Sequence, residues 1–249
     1  MMKRMFAVVV GLVTITLLAQ GDEAAKWQGE IDAAAAAGGG RVTIPAGRHP
    51  VGQLELRSNV ELHLEKGTVL EGVVGLENYR VTTLPYSEGT WSAVVSAIGV
   101  TNVAITGEGE IFGNGQAWPQ LVDYGGNQEG TRPRGIVFVN CRDILLEDFH
   151  LGDSPCWGVV LKNCDGVVAR RVRVDSYCNV NNDGFDIEAR NVIIDDCDVD
   201  SGDDAFCLKS NDPGFVMENV TIRRGVGRST CNAFKIGTAS HGVVRHIRF

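Results

Sequence analysis

The chain is short of positive charge, proline, aromatic side chains and long apolar runs. Lysines and arginines number 23 against 31 aspartates and glutamates, a formal net charge of −8. That balance argues against a general nucleic-acid binder, which needs a basic stripe to neutralise phosphates. It leaves an acidic polysaccharide open as a partner, because a basic cleft can sit on an acidic protein. Only 7 prolines and 7% aromatics accompany 31 glycines, a composition that suits many short strands joined by tight turns. No apolar run reaches the ~20 residues of a membrane-spanning helix. The longest, residues 6–18, follows Lys3 and Arg4 and precedes Ala19-Gln20-Gly21. These are the basic, apolar and small-residue parts of a secretory signal. Residues 1–21 are therefore expected to be a signal peptide. Residues 22–249 would form one domain of a secreted or periplasmic protein, free of the membrane after cleavage and monomeric.

Also missing is any C-x-x-C pair among the 7 cysteines at positions 141, 156, 164, 178, 197, 207 and 231. A zinc site is not expected, and neither is a cofactor. An odd number in an exported chain leaves at least one cysteine unpaired if the rest bridge. Cys141 and Cys164 stand 23 residues apart, each after an Asn, and Cys156 and Cys178 stand 22 apart. The simpler reading is a set of small apolar residues stacked in successive turns of a repeat, rather than a disulfide framework.

What is present is a repeat. One helix is expected, over residues 26–37, where Trp27, Ile31, Ala34 and Ala35 recur at helical spacing before Gly38-Gly39-Gly40 stops it. Such a helix would cover the open end of a solenoid. Beyond it come short strands at residues 41–44, 60–64, 94–98 and 103–106, bounded by turn residues. Residues 75–91 break the rhythm as an excursion. Residues 118–133 break it again as a polar loop carrying Trp118, Tyr124 and Gly125-Gly126. From Gly135 the segment GIVFVNCRDILL answers GVVLKNCDGVVA from Gly158 at an offset of 23, and later strands centre near Ile187, Leu208 and Ile236. A repeat of this length made of strands points to an all-β chain, a parallel β-helix. Equivalent residues of consecutive coils then stack about 4.8 Å apart.

Stacking gives two carboxylate clusters a meaning. Asp183 precedes the strand near Ile187, and Asp203 and Asp204 precede the strand near Leu208, at offsets of 20 and 21. The three should share one sheet edge on adjacent coils, with Asp186 beside them or supporting them. Crowded like charges raise one another's pKa, which a surface has no use for. A site that keeps one carboxyl protonated and another ionised does use it. Such a group can protonate a glycosidic oxygen and activate a water. Two other readings compete. One is calcium, which favours oxygen clusters. The other is a structural Asp ladder in turns. The segment Asp196-x-Asp198-x-Asp200 imitates the start of a calcium loop, but Ser201 and Cys207 occupy its sixth and twelfth positions. It reads as a solvated turn.

At these residues the sequence resembles glycoside hydrolase family 28, the polygalacturonase family of pectin-degrading right-handed β-helices. The family's N-T-D-G-x-D motif is similar to Asn181-Asn182-Asp183-Gly184-Phe185-Asp186, and its D-D motif to Asp203-Asp204. The likeness extends back through Asn163-Cys164, Ser154-Pro155-Cys156-Trp157, residues 107–113 and residues 38–47. The resemblance implies a single-stranded right-handed parallel β-helix (a pectin-lyase-like solenoid) with a capping helix. It also implies inverting hydrolysis with Asp203 as general acid, while Asp183 and Asp204 activate the water. Pectic or related plant cell-wall polysaccharide would be the substrate. Asp186, Asn232, Lys235 and Lys209 are the candidate substrate-binding residues.

Two departures stand out. Asn232 occupies the place of the family histidine in G-H-G-x-x-I-G-S, and Asn cannot titrate near neutral pH; His241 lies nine residues on. The family's R-x-K motif would fall beyond Phe249, so a domain truncated at its C-terminus is expected, with residues 243–249 as an exposed apolar coil. Arg223 and Arg224 are expected on a solvated face. The alternatives to a hydrolase are a calcium-dependent pectate-lyase-type enzyme and a β-helix that binds polysaccharide without cutting it.

Overall fold

The computed structural model describes residues 23–120 and 131–249. The chain winds as a right-handed parallel β-helix whose coils each contribute a strand to three walls. The first wall holds the strands Ala93–Ile98, Arg134–Val139 and Phe206–Ser210, the second Val60–Leu64, Thr101–Thr106 and Arg142–Glu147, and the third Thr68–Gly72, Glu110–Phe112 and Arg173–Ser176. Two long strands, Val159–Arg170 and Phe185–Asp195, run from the first wall into the second, so these walls form one continuous sheet. Among the described residues every ladder is parallel except a small antiparallel hairpin between Thr82–Thr83 and Thr90–Trp91.

Alternation explains the core. On the first wall Val95, Ile136, Val159, Phe185 and Phe206 stack in one inward column. On the second wall Leu62, Ile105, Leu146, Ala169 and Ile194 do the same. All are buried, and the Phe185 and Phe206 rings stack at 5.8 Å. The corner between these walls needs a left-handed residue in each coil. Asn59, Asn102, Asp143, Asn191 and Asn219 supply it with φ between 53° and 65°. Asn and Asp tolerate that region better than other side chains, and they are tied along the axis by Asn102 to Asn59 and Asn219 to Asn191, each at 3.0 Å.

The expected helix is present as Ala24–Ala36, with Trp27 and Ile31 buried on the first coil. Its Gln28 exchanges hydrogen bonds with the Glu55 backbone in both directions, satisfying the edge of a strand. All seven cysteines are free thiols. Cys141 and Cys164 do stack in the core. Cys156 and Cys178 do not: Cys156 packs outside the barrel with Trp157, while Cys178 donates to the Ser154 carbonyl on another face. Asp198 and Asp200 also correct the expectation. They lie on the strand Asp198–Ser201 of the third wall, pointing out to Arg228, while Val199 points in; only Asp196 turns, at φ 55°. Arg223 and Arg224 are exposed as expected, and both pair with Asp195. Residues 243–248 form a strand, with Val243 and Phe249 exposed. The signal-peptide segment and Tyr124, Gly125 and Gly126 lie outside the described residues.

Candidate active site

The register sets the site. Phe185 pairs with Phe206 and Phe206 with Phe234. Just ahead of these strands Gly184 N–H donates to the Asp204 carbonyl and Ala205 N–H to the Asn232 carbonyl, each at 2.8 Å. Asp183, Asp204 and Asn232 therefore occupy equivalent places on three successive coils. Asp203 sits opposite Asn182, whose carbonyl accepts its N–H at 3.3 Å. The sequence expectation that all three aspartates share one edge is met, with Asp204 rather than Asp203 standing over Asp183.

Each turn is held in place by buried groups. Asn182, fully buried, donates to the Ser154 carbonyl at 2.7 Å and accepts from the Asn179 N–H. Arg132 is buried as well, and its guanidinium donates to the Pro155 and Val180 carbonyls at 2.8 Å each. On the next coil the Asp203 carbonyl accepts from Ser201 and Ser229, and the Asp203 carboxylate accepts the Asp204 N–H at 3.0 Å.

The carboxyls differ sharply in environment. Asp203 is partly exposed, while Asp183, Asp186 and Asp204 are buried. Burial pushes Asp183 well up, and Asp186 beside it adds to the shift. Asp186 is pushed up to about 6, mainly by burial and against the pull of Lys209. Oδ1 of Asp183 and Oδ2 of Asp186 have no hydrogen-bond donor among the described residues, and Oδ1 of Asp186 faces the Lys209 ammonium at 3.4 Å. Asp204 goes the other way. Burial raises it, but Lys235 at 2.7 Å from Oδ2 and Asn232 at 2.6 Å from Oδ1 outweigh that and bring it below the usual carboxylate range. The result is one carboxylate fixed as an anion beside two that resist ionisation, a contrast that general acid–base chemistry requires.

Of the other candidates, Lys235 faces out of the first wall in a column with Asp186 and Cys207, partly exposed. Lys209 is buried instead of lying at the surface. Its ammonium is 3.4 Å from Asp186, 3.5 Å from Glu88 and 3.7 Å from the centre of the Trp157 ring. His241 donates its backbone N–H to Ser210, away from the carboxylates. Sequence reasoning missed Glu88, Arg132 and Arg134. Glu88 comes from an excursion with no repeat to place it, Arg132 lies in a segment read as loop, and Arg134 opens the strand Arg134–Val139 just ahead of the repeat.

Two sets of donors fall within 4.8 Å of one another: Asp183, Asp186 and Cys207, and Asp203, Asp204 and Cys231. Neither resembles the six to eight oxygens calcium takes. Lys209 and Lys235 already supply the positive charge for Asp186 and Asp204.

The chain is 27% identical over 234 residues to a Vitis vinifera protein named "Probable polygalacturonase", covering 85% of this chain and 46% of that one. It is 27% identical over 138 residues to an exopolygalacturonase of Cochliobolus carbonum, covering 53% and 30%. The chain thus spans about half the length, or less, of these relatives. Among solved structures, the exopolygalacturonase of Thermotoga maritima superposes with a TM-score of 0.72 at 24% identity, over 92% of this chain and 62% of that one. The polygalacturonase of Erwinia carotovora gives 0.71 at 21% identity, over 92% and 65%. The family model for glycosyl hydrolases family 28 matches residues 36–247, and the chain belongs to that family.

Proposed function

We propose that the protein hydrolyses O-glycosidic bonds of pectic polysaccharide, galacturonan above all, by an inverting acid/base mechanism. The observation that carries the reading is the facing of Asp183 and Asp204 on adjacent coils with Asp203 beside them, inside a fold shared with polygalacturonases. Asp203, the most accessible of the three, donates its proton to the leaving glycosidic oxygen. Asp204, held ionised by Lys235 and Asn232, takes a proton from the attacking water. Asp183, buried beside Asp186 and held toward its neutral form, orients that water from the coil below. The water oxygen bonds to the anomeric carbon as the leaving oxygen departs, so the configuration inverts. The signal-like start of the sequence supports export to where such polymers lie.

A calcium-dependent elimination is the less favoured reading, because lysines occupy the carboxylates that calcium would need. Reducing-end release from polygalacturonate by the wild type and by Asp203→Asn tests the proposal. Release by the wild type that falls by about 10²–10⁴ in the variant, with an unchanged melting curve, supports it. Binding of the polymer without new reducing ends would favour a binding protein, and products absorbing in the ultraviolet would favour the lyase.

A further inference from the structure

The outward face of the first wall changes character along the helix axis. Up to and including the coil that carries Asp203 and Asp204 it is covered: Val137, Val160, Lys162, Glu188 and Lys209 all point outward and are all buried. At the turn of Asp203 and on the following coil it opens, with Asp203 and Lys235 partly exposed and Asn232 exposed.

The cover is the excursion that ends in the hairpin of Thr82–Thr83 and Thr90–Trp91. Leu84 and Trp91 pack on Val137, Val139, Trp157 and Val160 in an apolar cluster separate from the barrel core. Arg134 rises from the wall between the rings of Trp91 and Trp157, 4.3 Å and 4.6 Å from their centres, and donates to the Glu88 carbonyl at 3.3 Å. The Glu88 carboxylate then reaches Lys209, 121 residues further along the chain, which also contacts Asp186. The strap is therefore bolted to the wall at both its apolar and its charged end, beside the carboxylate cluster.

A polymer chain lying along the wall needs the outward face that this strap fills. Coils are about 4.8 Å apart, so each covered coil removes room for about one sugar residue. Glu88 also fills that face beside the carboxylates, and its ion pair with Lys209 at 3.5 Å leaves that lysine no free charge to offer a uronate.

We infer that residues 82–91, through Glu88 and Trp91, close the cleft on one side of the carboxylates. The site then takes a chain end and releases short units instead of cutting within the polymer. This rests on the hydrolase reading. Bond making and breaking are those of the hydrolysis above; only the reach of the substrate changes.

The test follows the early products and the viscosity of polygalacturonate with the wild-type protein. It is repeated with a variant whose residues 84–89 are replaced by two glycines, and with Glu88→Ala as a milder change should the shortened strap fail to fold. The wild type is expected to release mono- or disaccharide from the first time points, with viscosity falling slowly per reducing end formed. Opening the strap is expected to yield longer oligomers and a several-fold faster fall in viscosity per bond cut. A spread of long oligomers from the wild type, or short products alone from both variants, would overturn the inference. An absence of reducing ends from the wild type would overturn the hydrolase reading beneath it, and the inference with it.

Discussion

Lys235 and Asp204 meet across two successive coils, with the ammonium 2.7 Å from one carboxylate oxygen while Asn232 holds the other. Asn232 carries no charge, so the charge that keeps Asp204 ionised comes from Lys235 three residues on. Lys235→Met removes that charge and leaves burial, which favours the neutral acid. The folded pKa of Asp204 should rise, and the acid limb of kcat/KM should move to higher pH by about one unit. Activity then falls most at the acid end and recovers as pH rises, while Lys235→Arg keeps the wild-type limb. A variant with an unmoved limb and a raised KM would show instead that Lys235 grips the substrate.

The linkage carries over to folding. Because the folded pKa of Asp204 is depressed, its contribution to stability is present above the unfolded pKa and is lost as pH falls through the folded value. Asp183 and Asp186 have the opposite sign. Their carboxyls are raised, so stability falls as pH rises from the unfolded carboxylate range through about 6 for Asp186. Denaturant titrations of the wild type should show stability declining across that interval. A Lys235→Met variant should lose its extra stability only at higher pH, where the wild-type Asp204 is ionised. A wild type whose stability climbs steadily from pH 4 to 7 would contradict the placement of Asp183 and Asp186.

Lys162 and Glu188 form a buried ion pair at 2.9 Å under the strap, with 3% and 4% of their side chains exposed. Glu188 also accepts the Asp212 N–H and the Asn211 amide. Lys162→Met leaves an uncompensated buried carboxylate and should cost about 3–5 kcal/mol in denaturant unfolding. Adding Glu188→Gln should restore part of that loss. A cost below about 1 kcal/mol, the level of surface pairs, would mean the strap does not cover this pair.

Gly184 separates Asp183 from Phe185 where two coils touch. A Cβ there would lie 2.3 Å from Val199 Cγ1 and 2.5 Å from the Ala205 carbonyl oxygen. Gly184→Ala should therefore destabilise by about 1–3 kcal/mol. The change also pushes on the residue after Asp204, so activity should fall along with stability. Wild-type activity in a destabilised Gly184→Ala protein would show that the two coils tolerate a shift without disturbing the carboxylates.

Much of the site was legible because a parallel solenoid turns sequence offset into distance. An interval of 21 residues placed Asp183 and Asp204 together once the repeat was seen. The exact opposition was not legible, since whether Asp203 or Asp204 stands over Asp183 depends on where each turn ends. Asp198 and Asp200 read as turn residues although they alternate with Val199 and Ser201. Their turn preference masked a strand signal, and Arg228 on the neighbouring coil supplies the partner charge. Lys209 read as a surface or sugar-facing lysine because a charged residue on an outward face is normally solvated. It is buried against the Trp157 ring and by Glu88, which lies more than a hundred residues away and outside any repeat.

Proton NMR of the first product formed from polygalacturonate tests the central claim most directly, because it reads how the carboxylates divide their work. Water delivered by Asp204 on the face opposite Asp203 predicts a new reducing end whose initial anomeric configuration is inverted from the substrate, before mutarotation. An initially retained configuration, or a sugar with a new double bond, would contradict the account.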